Sequence, residues 1–178
     1  MRFLRGAIVI FCCLVFDACA LYQVFPPEVT KDVDHSFDFS AWRLTPNAKT
    51  DNKIQLGGRI IQADTKEGTV SIVAAQLPIV EHPAYGPKDT GKRSGEFTIT
   101  YQGQIESKLL QTGNRLIVVG TTRTAKVVIV DDIPRSFPTV KAQCLHIWNT
   151  GSREIADFPS YGAGYETLEE QTFCASHP

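Results

Sequence analysis

The chain has 178 residues, enough for one domain once an export signal is set aside. Its 18 basic and 19 acidic residues leave a net charge of -1, which excludes the strongly basic footprint of a nucleic-acid-binding protein, so no nucleic-acid partner is expected. The hydrophobic fraction of 43% excludes a disordered chain and is typical of a packed domain.

Residues 1–18 have the pattern of an export signal. Positive charges at Arg2 and Arg5 precede an apolar run from Ile8 to Phe16. This run is too short to cross a bilayer, because a transmembrane helix needs about 20 apolar residues. We therefore expect residues 1–18 to be a signal peptide.

Cys19 follows the small residue Ala18 at the end of this signal, which is where bacteria attach lipid to exported proteins. The bulky and acidic pair at 16–17 is unusual before a lipidated cysteine. The same segment also fits the A-x-A pattern of ordinary signal peptidase, which would cut after Ala20 and leave a soluble protein beginning at Leu21. The local residues leave both processing routes open.

Residues 19–53 are expected to form a tether and entry segment, because prolines and turn-forming residues interrupt any regular period. A folded domain is predicted over residues 54–150, followed by a C-terminal tail at 151–178. The domain begins with a strand from Ile54 to Ala63, in which Gly57-Gly58 indicates a bulge, a sharp bend or a close backbone approach.

Short strands separated by turns continue along the domain. A turn over residues 64–68, with Gly68 suited to positive φ, leads to the second strand, and the third alternates polar and apolar residues. One short helix is expected at 105–111, ending before Gly113. The predicted strands after the first are Thr69–Leu77, Glu96–Tyr101, Arg115–Gly120, Lys126–Val130, returning through a turn at 121–124, and Val140–Trp148.

This order of strands and one helix predicts an all-β fold, a small OB-like Greek-key barrel of five to six strands. OB-like barrels commonly bind glycans or oligonucleotides through aromatic side chains on one face. Phe97, Tyr101 and Trp148 are candidates for such a face. However, Phe97 and Tyr101 alternate in phase with Ile99, which favours a core position for them.

Cys144 and Cys174 are the cysteines that remain if lipid occupies Cys19. A disulfide between them would close a loop of about 30 residues and is favoured in an exported protein. One alternative is that Cys144 is a small buried residue on a strand and Cys174 a free thiol in the tail. Another is a zinc site with His146 and His177, but it would place two ligands in the tail, and no metal ligand is assigned.

No other segment predicts catalysis. Asp131-Asp132 before Ile133-Pro134 is interpreted as a polar turn rather than an acid/base or cation-binding pair, and His82 beside Glu81 lacks a recognisable partner. Phosphate-binding loops, nucleophile elbows and HExxH sequences are missing from the chain. We expect no catalytic residue and no cofactor other than covalent lipid. The aromatic and glycine cluster at 161–165 could contact an envelope partner.

Four blocks of the chain follow one another in order: Gln55–Ile61, Ala75–Ile79, Gly113–Thr121 and Ala142–Trp148. Together they resemble the Slp family of outer-membrane lipoproteins of Gram-negative bacteria. This resemblance implies lipid on Cys19, the outer membrane as the location, its lipid as a partner, and a stress-related or envelope role without catalysis. We place the protein on the periplasmic side, with an envelope protein or glycan as a further partner.

Two alternatives remain open. The protein could be a soluble periplasmic module that binds a glycan or a protein partner on its OB-like face. It could also be a metal-binding or hydrolytic protein that uses its Cys and His residues.

Overall fold

The structure is a computed structural model that describes residues 24–80, 86–88, 94–151 and 168–175. Two short helices and a 3₁₀ turn at Pro46–Ala48 precede the first strand. The helices are α1 (Pro27–Thr30) and α2 (Phe39–Leu44), and the strands are β1 (Lys53–Lys66), β2 (Thr69–Leu77), β3 (Ile79–Val80), β4 (Gly86–Pro87), β5 (Glu96–Gln102), β6 (Arg115–Val130), β7 (Ile133–Asn149) and β8 (Glu169–Cys174).

Five strands close into a barrel. The antiparallel neighbours run in the order β5-β2-β1-β6-β7, and a parallel pairing between β5 and β7 closes the ring. This connectivity is that of the five-stranded OB barrel, so the predicted fold class is confirmed. β8 adds a sixth strand to the edge of β7, and β3 and β4 form a separate two-stranded ladder.

The barrel interior is the main hydrophobic core. Phe97, Ile99 and Tyr101 all point into it, as their alternation predicts. Helix α2 contributes Phe39 and Trp42 to the same core, and the ring centroids of Phe39 and Phe97 lie 5.8 Å apart. The first residues before the barrel are therefore part of its packing.

The tight turns follow the chemistry of their sequences. Glu67 and Gly68 connect β1 to β2, and both have positive φ, as a two-residue hairpin turn requires. Asp131 and Asp132 connect β6 to β7 with φ of 50° and 62°, which confirms the predicted polar turn. At Gly57 the predicted close approach is also present, because an added Cβ would lie 2.8 Å from the carbonyl oxygen of Leu77.

Residues 105–111 form consecutive turns instead of the predicted short helix. The amides of Leu109 and Leu110 donate to the carbonyls three residues earlier, at 2.9 and 3.2 Å. Buried Leu109 holds the segment against the core, while Gly113 with φ of 95° ends it. These hydrogen bonds span three residues rather than the four of an α-helix, so the segment is turned but not α-helical.

The prediction for the fourth and fifth strands was wrong at their junction. Residues 121–124 do not turn, because β6 runs without interruption through them to Val130, and β7 begins at Ile133 rather than Val140. The outer parts of β6 and β7 form an arm, residues 126–137, which packs on the outside of the barrel. Its contact residues Val130 and Phe137 cluster with Val73 of β2.

The described segments before residue 54 and after residue 150 also pack against the barrel. The entry segment contributes buried Phe25, Val29 and Val33, and part of the C-terminal segment forms β8. The folded unit is therefore wider than the predicted 54–150. Several candidates lie outside the described residues: the predicted signal peptide, Cys19, Glu81-His82, the cluster at 161–165 and His177.

Gly120 allows β6 to lie unusually close to its neighbour β7, so Gly120→Ala is expected to lower the free energy of unfolding by about 2 kcal/mol or more. An added Cβ would clash with the Lys141 carbonyl oxygen and lie 2.9 Å from the Cα of Ala142. Urea denaturation followed by circular dichroism measures the change. Gly68→Ala is the control, since its Cβ would meet no atom within 4 Å and only the positive φ costs about 1 kcal/mol. Equal losses at both positions would contradict a specific need for glycine where β6 lies close to β7.

Candidate functional site

Residues 24–34, which follow the proposed lipid site, dock on the outer face of the barrel. We call them the docked segment. Phe25, Val29 and Val33 pack against a patch formed by Ile117 and Val119 of β6 and by Cys144 and Trp148 of β7. We call this patch the docking face. Phe25 is only 3% exposed, which means that the contact removes nearly all of its side chain from water.

Hydrogen bonds fix the docked segment at both ends. The hydroxyl of Thr172 on β8 donates to the Val24 carbonyl at 3.4 Å. At the other end, the Asp34 amide donates to the Lys53 carbonyl at 2.9 Å, and the Lys53 ammonium donates to the Lys31 carbonyl at 2.7 Å. The segment therefore enters the barrel along one defined path.

Cys144 and Cys174 form a disulfide in the structure. They lie directly opposite each other in the antiparallel pairing of β7 with β8, and their Cα atoms are 4.1 Å apart. The Ala175 amide donates to the Gln143 carbonyl at 2.8 Å just beyond the bond. Covalent and hydrogen bonds thus hold β8, which contacts the docked segment, on the edge of β7.

His146 lies between β8 and the docked segment. Its Nδ1 is 2.7 Å from the Thr172 hydroxyl, its ring meets Phe25 edge-on at 6.4 Å, and it packs on Trp148 at 4.1 Å. Burial lowers the pKa of His146, and the nearby Glu170 carboxylate opposes that shift in part. Nε2 lies 3.4 Å from this carboxylate but lacks the geometry of a hydrogen bond. His146 is therefore a packing residue that resists protonation.

The other candidates for chemistry are not brought together. Phe97, Tyr101 and Trp148 are all buried, so they offer no exposed stacking surface. With Cys144 and Cys174 bonded to each other, neither supplies a thiolate for zinc. Within the described ranges, no cluster of three or more His, Cys, Asp or Glu side chains is arranged to hold a metal ion.

Comparison with known families identifies the chain. The model of the outer membrane lipoprotein Slp family matches residues 16–172, which include Cys19, the docked segment and the whole barrel. The chain belongs to the Slp family. The resemblance of the four sequence blocks is thereby confirmed, and the match extends beyond those blocks on both sides.

One solved structure similar to the Slp-family barrel is the small single-stranded DNA-binding protein from Streptomyces coelicolor. The two share 13% identity over 53% of this chain and 92% of the other, with a TM-score of 0.34. A similarity of this size carries no functional argument. No curated protein matches the chain. In the part of the chain that the structure describes, none of the helices has the length and apolar character needed to span a membrane.

Sequence reasoning missed the docked segment. Phe25, Val29 and Val33 are apolar residues spaced four apart, and only Val29 lies within α1. That spacing is a usable signal, but the flanking prolines and charges concealed it. The buried Asn114 was also missed: its side chain donates to the Lys108 and Leu109 carbonyls, each at 3.0 Å.

Acidification is expected to weaken the fold through His146. Because burial lowers its pKa, the unfolded chain binds this proton more readily, so the site stabilises the fold fully above about pH 6.5 and less as pH falls through the lowered pKa. Urea denaturation between pH 7.5 and 5 measures the loss. His146→Gln should flatten the pH dependence, whereas His35→Gln, at an exposed histidine, should retain it. An unchanged pH profile in His146→Gln would contradict this assignment.

Removing the disulfide is expected to lower the free energy of unfolding by about 3 kcal/mol, because the bond closes a long loop in the unfolded chain. The bonded cysteines are separated by 30 residues. The double variant Cys144→Ser and Cys174→Ser is compared with the oxidised protein by urea denaturation. Treating the parent protein with reductant should reproduce the loss and leave the double variant unaffected. A parent protein insensitive to reductant would refute the stabilising role.

Proposed function

We propose that lipid on Cys19 anchors this Slp-family barrel to the periplasmic face of the outer membrane, where it has a non-catalytic, stress-related or other envelope role. The observation that carries the proposal is the docking of Phe25 on the barrel. Family membership supports the membrane location, and the docked segment supports a specific attachment of the folded domain.

The length of the connection limits how far the barrel lies from the membrane. Val24, the first described residue, follows Cys19 by five residues, so fully extended chain spans at most about 18 Å between them. The docked segment adds no slack, because Phe25, Val29 and Val33 are buried against the barrel and its two ends are hydrogen-bonded. The barrel is therefore held at the membrane surface rather than on a long tether.

The disulfide supports an oxidising compartment. Such bonds persist in the periplasm and are rare where thiols are kept reduced. Its position adds to the proposal, because Cys174 holds β8 against β7 and Thr172 of β8 contacts the Val24 carbonyl. Oxidation in the periplasm thus supports the strand that holds the anchored segment.

The burial of the aromatic candidates favours an envelope role over a soluble module that binds glycans by stacking. Phe97 and Tyr101 fill the core, and Trp148 contacts the docked segment. The proposed partners are outer-membrane lipid through the anchor and an envelope protein or glycan. Covalent lipid is the only cofactor we assign.

Intact mass spectrometry of the mature protein tests the anchor. The expected mass corresponds to a chain that begins at Cys19 and carries three acyl groups. Cys19→Ala retains the A-x-A pattern at 18–20, so this variant should lose the acyl mass and move from the membrane to the soluble periplasmic fraction. Cys13→Ala, which removes a cysteine within the signal, is the matched control and should remain acylated.

A wild-type chain that begins at unmodified Leu21 would overturn the anchor. Protease treatment of intact cells tests the orientation separately. A periplasmic barrel should resist digestion until the outer membrane is permeabilised. Digestion in intact cells would place the barrel on the cell surface instead.

A further inference from the structure

A polar groove of about 260 Å³ lies on the outer surface of the barrel at the base of the arm. Three cationic side chains line it, together with hydroxyl groups of several threonines, and none of its lining residues in the described chain is acidic. We call it the cationic groove. The residues on which the argument depends are Thr100, Arg123, Thr124, Lys126, Thr139 and Lys141.

Strand pairing brings these side chains together from three strands. Thr100 of β5 pairs with Lys141 of β7 in the parallel ladder that closes the barrel. On the other side of β7, Thr139 pairs with Arg123 of β6. Paired residues share one face of the sheet, so all four lie on its outward-facing side, where Thr139 is buried beneath its neighbours. The groove therefore depends on the closed barrel.

A β-bulge adds the third cation to this face. Arg123 pairs with Thr139 and Lys126 pairs with Phe137, so β6 advances three residues while β7 advances two. In a regular strand, positions three residues apart point to opposite faces. The extra residue in β6 places Arg123 and Lys126 on the same face. Bulges re-aim side chains in this way beside binding sites.

The charges of the groove are only partly neutralised within the protein. Arg123 forms an ion pair with Asp51. Lys126 and Lys141 have no ion-pair partner among the residues that the structure describes, and the Thr124 hydroxyl has no hydrogen-bond partner there either. Two like charges held beside the unpaired Thr124 hydroxyl favour an anion with several acceptor oxygens. Phosphate has this character, and lysine, arginine and hydroxyl groups are its common partners in proteins.

We propose that the cationic groove binds the phosphate group of a membrane lipid headgroup. The proposal rests on the membrane anchor proposed above, which brings the barrel close to a surface of phosphorylated lipids. The volume suits one headgroup rather than a larger ligand, since pockets for drug-sized molecules begin near about 300 Å³. Lys126 and Lys141 supply the charge, and Thr124 supplies a hydrogen-bond donor.

The position of the groove agrees with a membrane lipid as the source of the phosphate group. Lys141 and His146 both belong to β7, five residues apart, which is about 17 Å along an extended strand. His146 contacts Phe25 of the docked segment, close to where the chain continues toward Cys19. A second bulge, which adds Gln143 to β7 between the pairs of Val119 and Gly120, places Lys141 and Cys144 on the same outer face. The groove and the docked segment therefore share one side of this strand.

Isothermal titration of the full mature protein in uncharged detergent tests the proposal. The probes are short-chain phosphatidic acid, short-chain phosphatidylcholine and inorganic phosphate. We expect phosphatidic acid to bind most tightly, with an affinity that falls as salt rises. The double variant Lys126→Gln and Lys141→Gln should bind phosphatidic acid at least about tenfold more weakly. Circular dichroism verifies that this exposed double substitution leaves the fold intact.

The matched control is Lys31→Gln with Lys88→Gln, which removes the same charge at positions that do not line the groove. Its affinity should remain that of the parent. An equal loss in the control would show general charge attraction and overturn the site. Inorganic phosphate binding as tightly as phosphatidic acid would overturn the lipid source. Neither result would alter the acyl mass at Cys19, so failure of the groove and failure of the anchor are distinguishable.

Discussion

The short central part of β7 holds the barrel closed. Residues 139–141 pair in parallel with β5 on one side, while β7 pairs antiparallel with β6 on the other. The β6 contact requires Gly120, because its backbone approaches that of Lys141 too closely for a side chain. Closure separates an apolar interior from an outer surface that is free to carry the docked segment, the disulfide and the cationic groove. Each of these outer features uses β7.

Local sequence patterns were sufficient for most of the barrel. Period-two alternation at 96–101 predicted which side chains enter the core, and Gly57 marked a close backbone approach. The polar character of Asp131-Asp132 indicated the β6–β7 turn. These predictions succeed because each concerns a single strand or turn, whose structure is determined by residues that are neighbours in the sequence.

The errors arose where a constraint comes from a partner strand. Residues 121–124 are polar and resemble a turn, yet in β6 they lie within a long strand whose pairing with β7 continues on both sides. A bulge is a difference in residue count between two strands, so neither sequence alone reveals it. The docked segment was missed for the same reason, because Phe25 acquires its role only from the face of β6 and β7 that it covers.

One bulge in β6 and one in β7 explain how this pair of strands serves both the core and the outer surface. Without the bulge near Gln143, the Cys144 side chain would point into the barrel like that of Ala142. It could not then form the disulfide with Cys174 outside the barrel. The disulfide holds β8 in place, and Thr172 of β8 in turn contacts Val24. The path from the proposed membrane anchor to the barrel therefore depends on a local irregularity in β7.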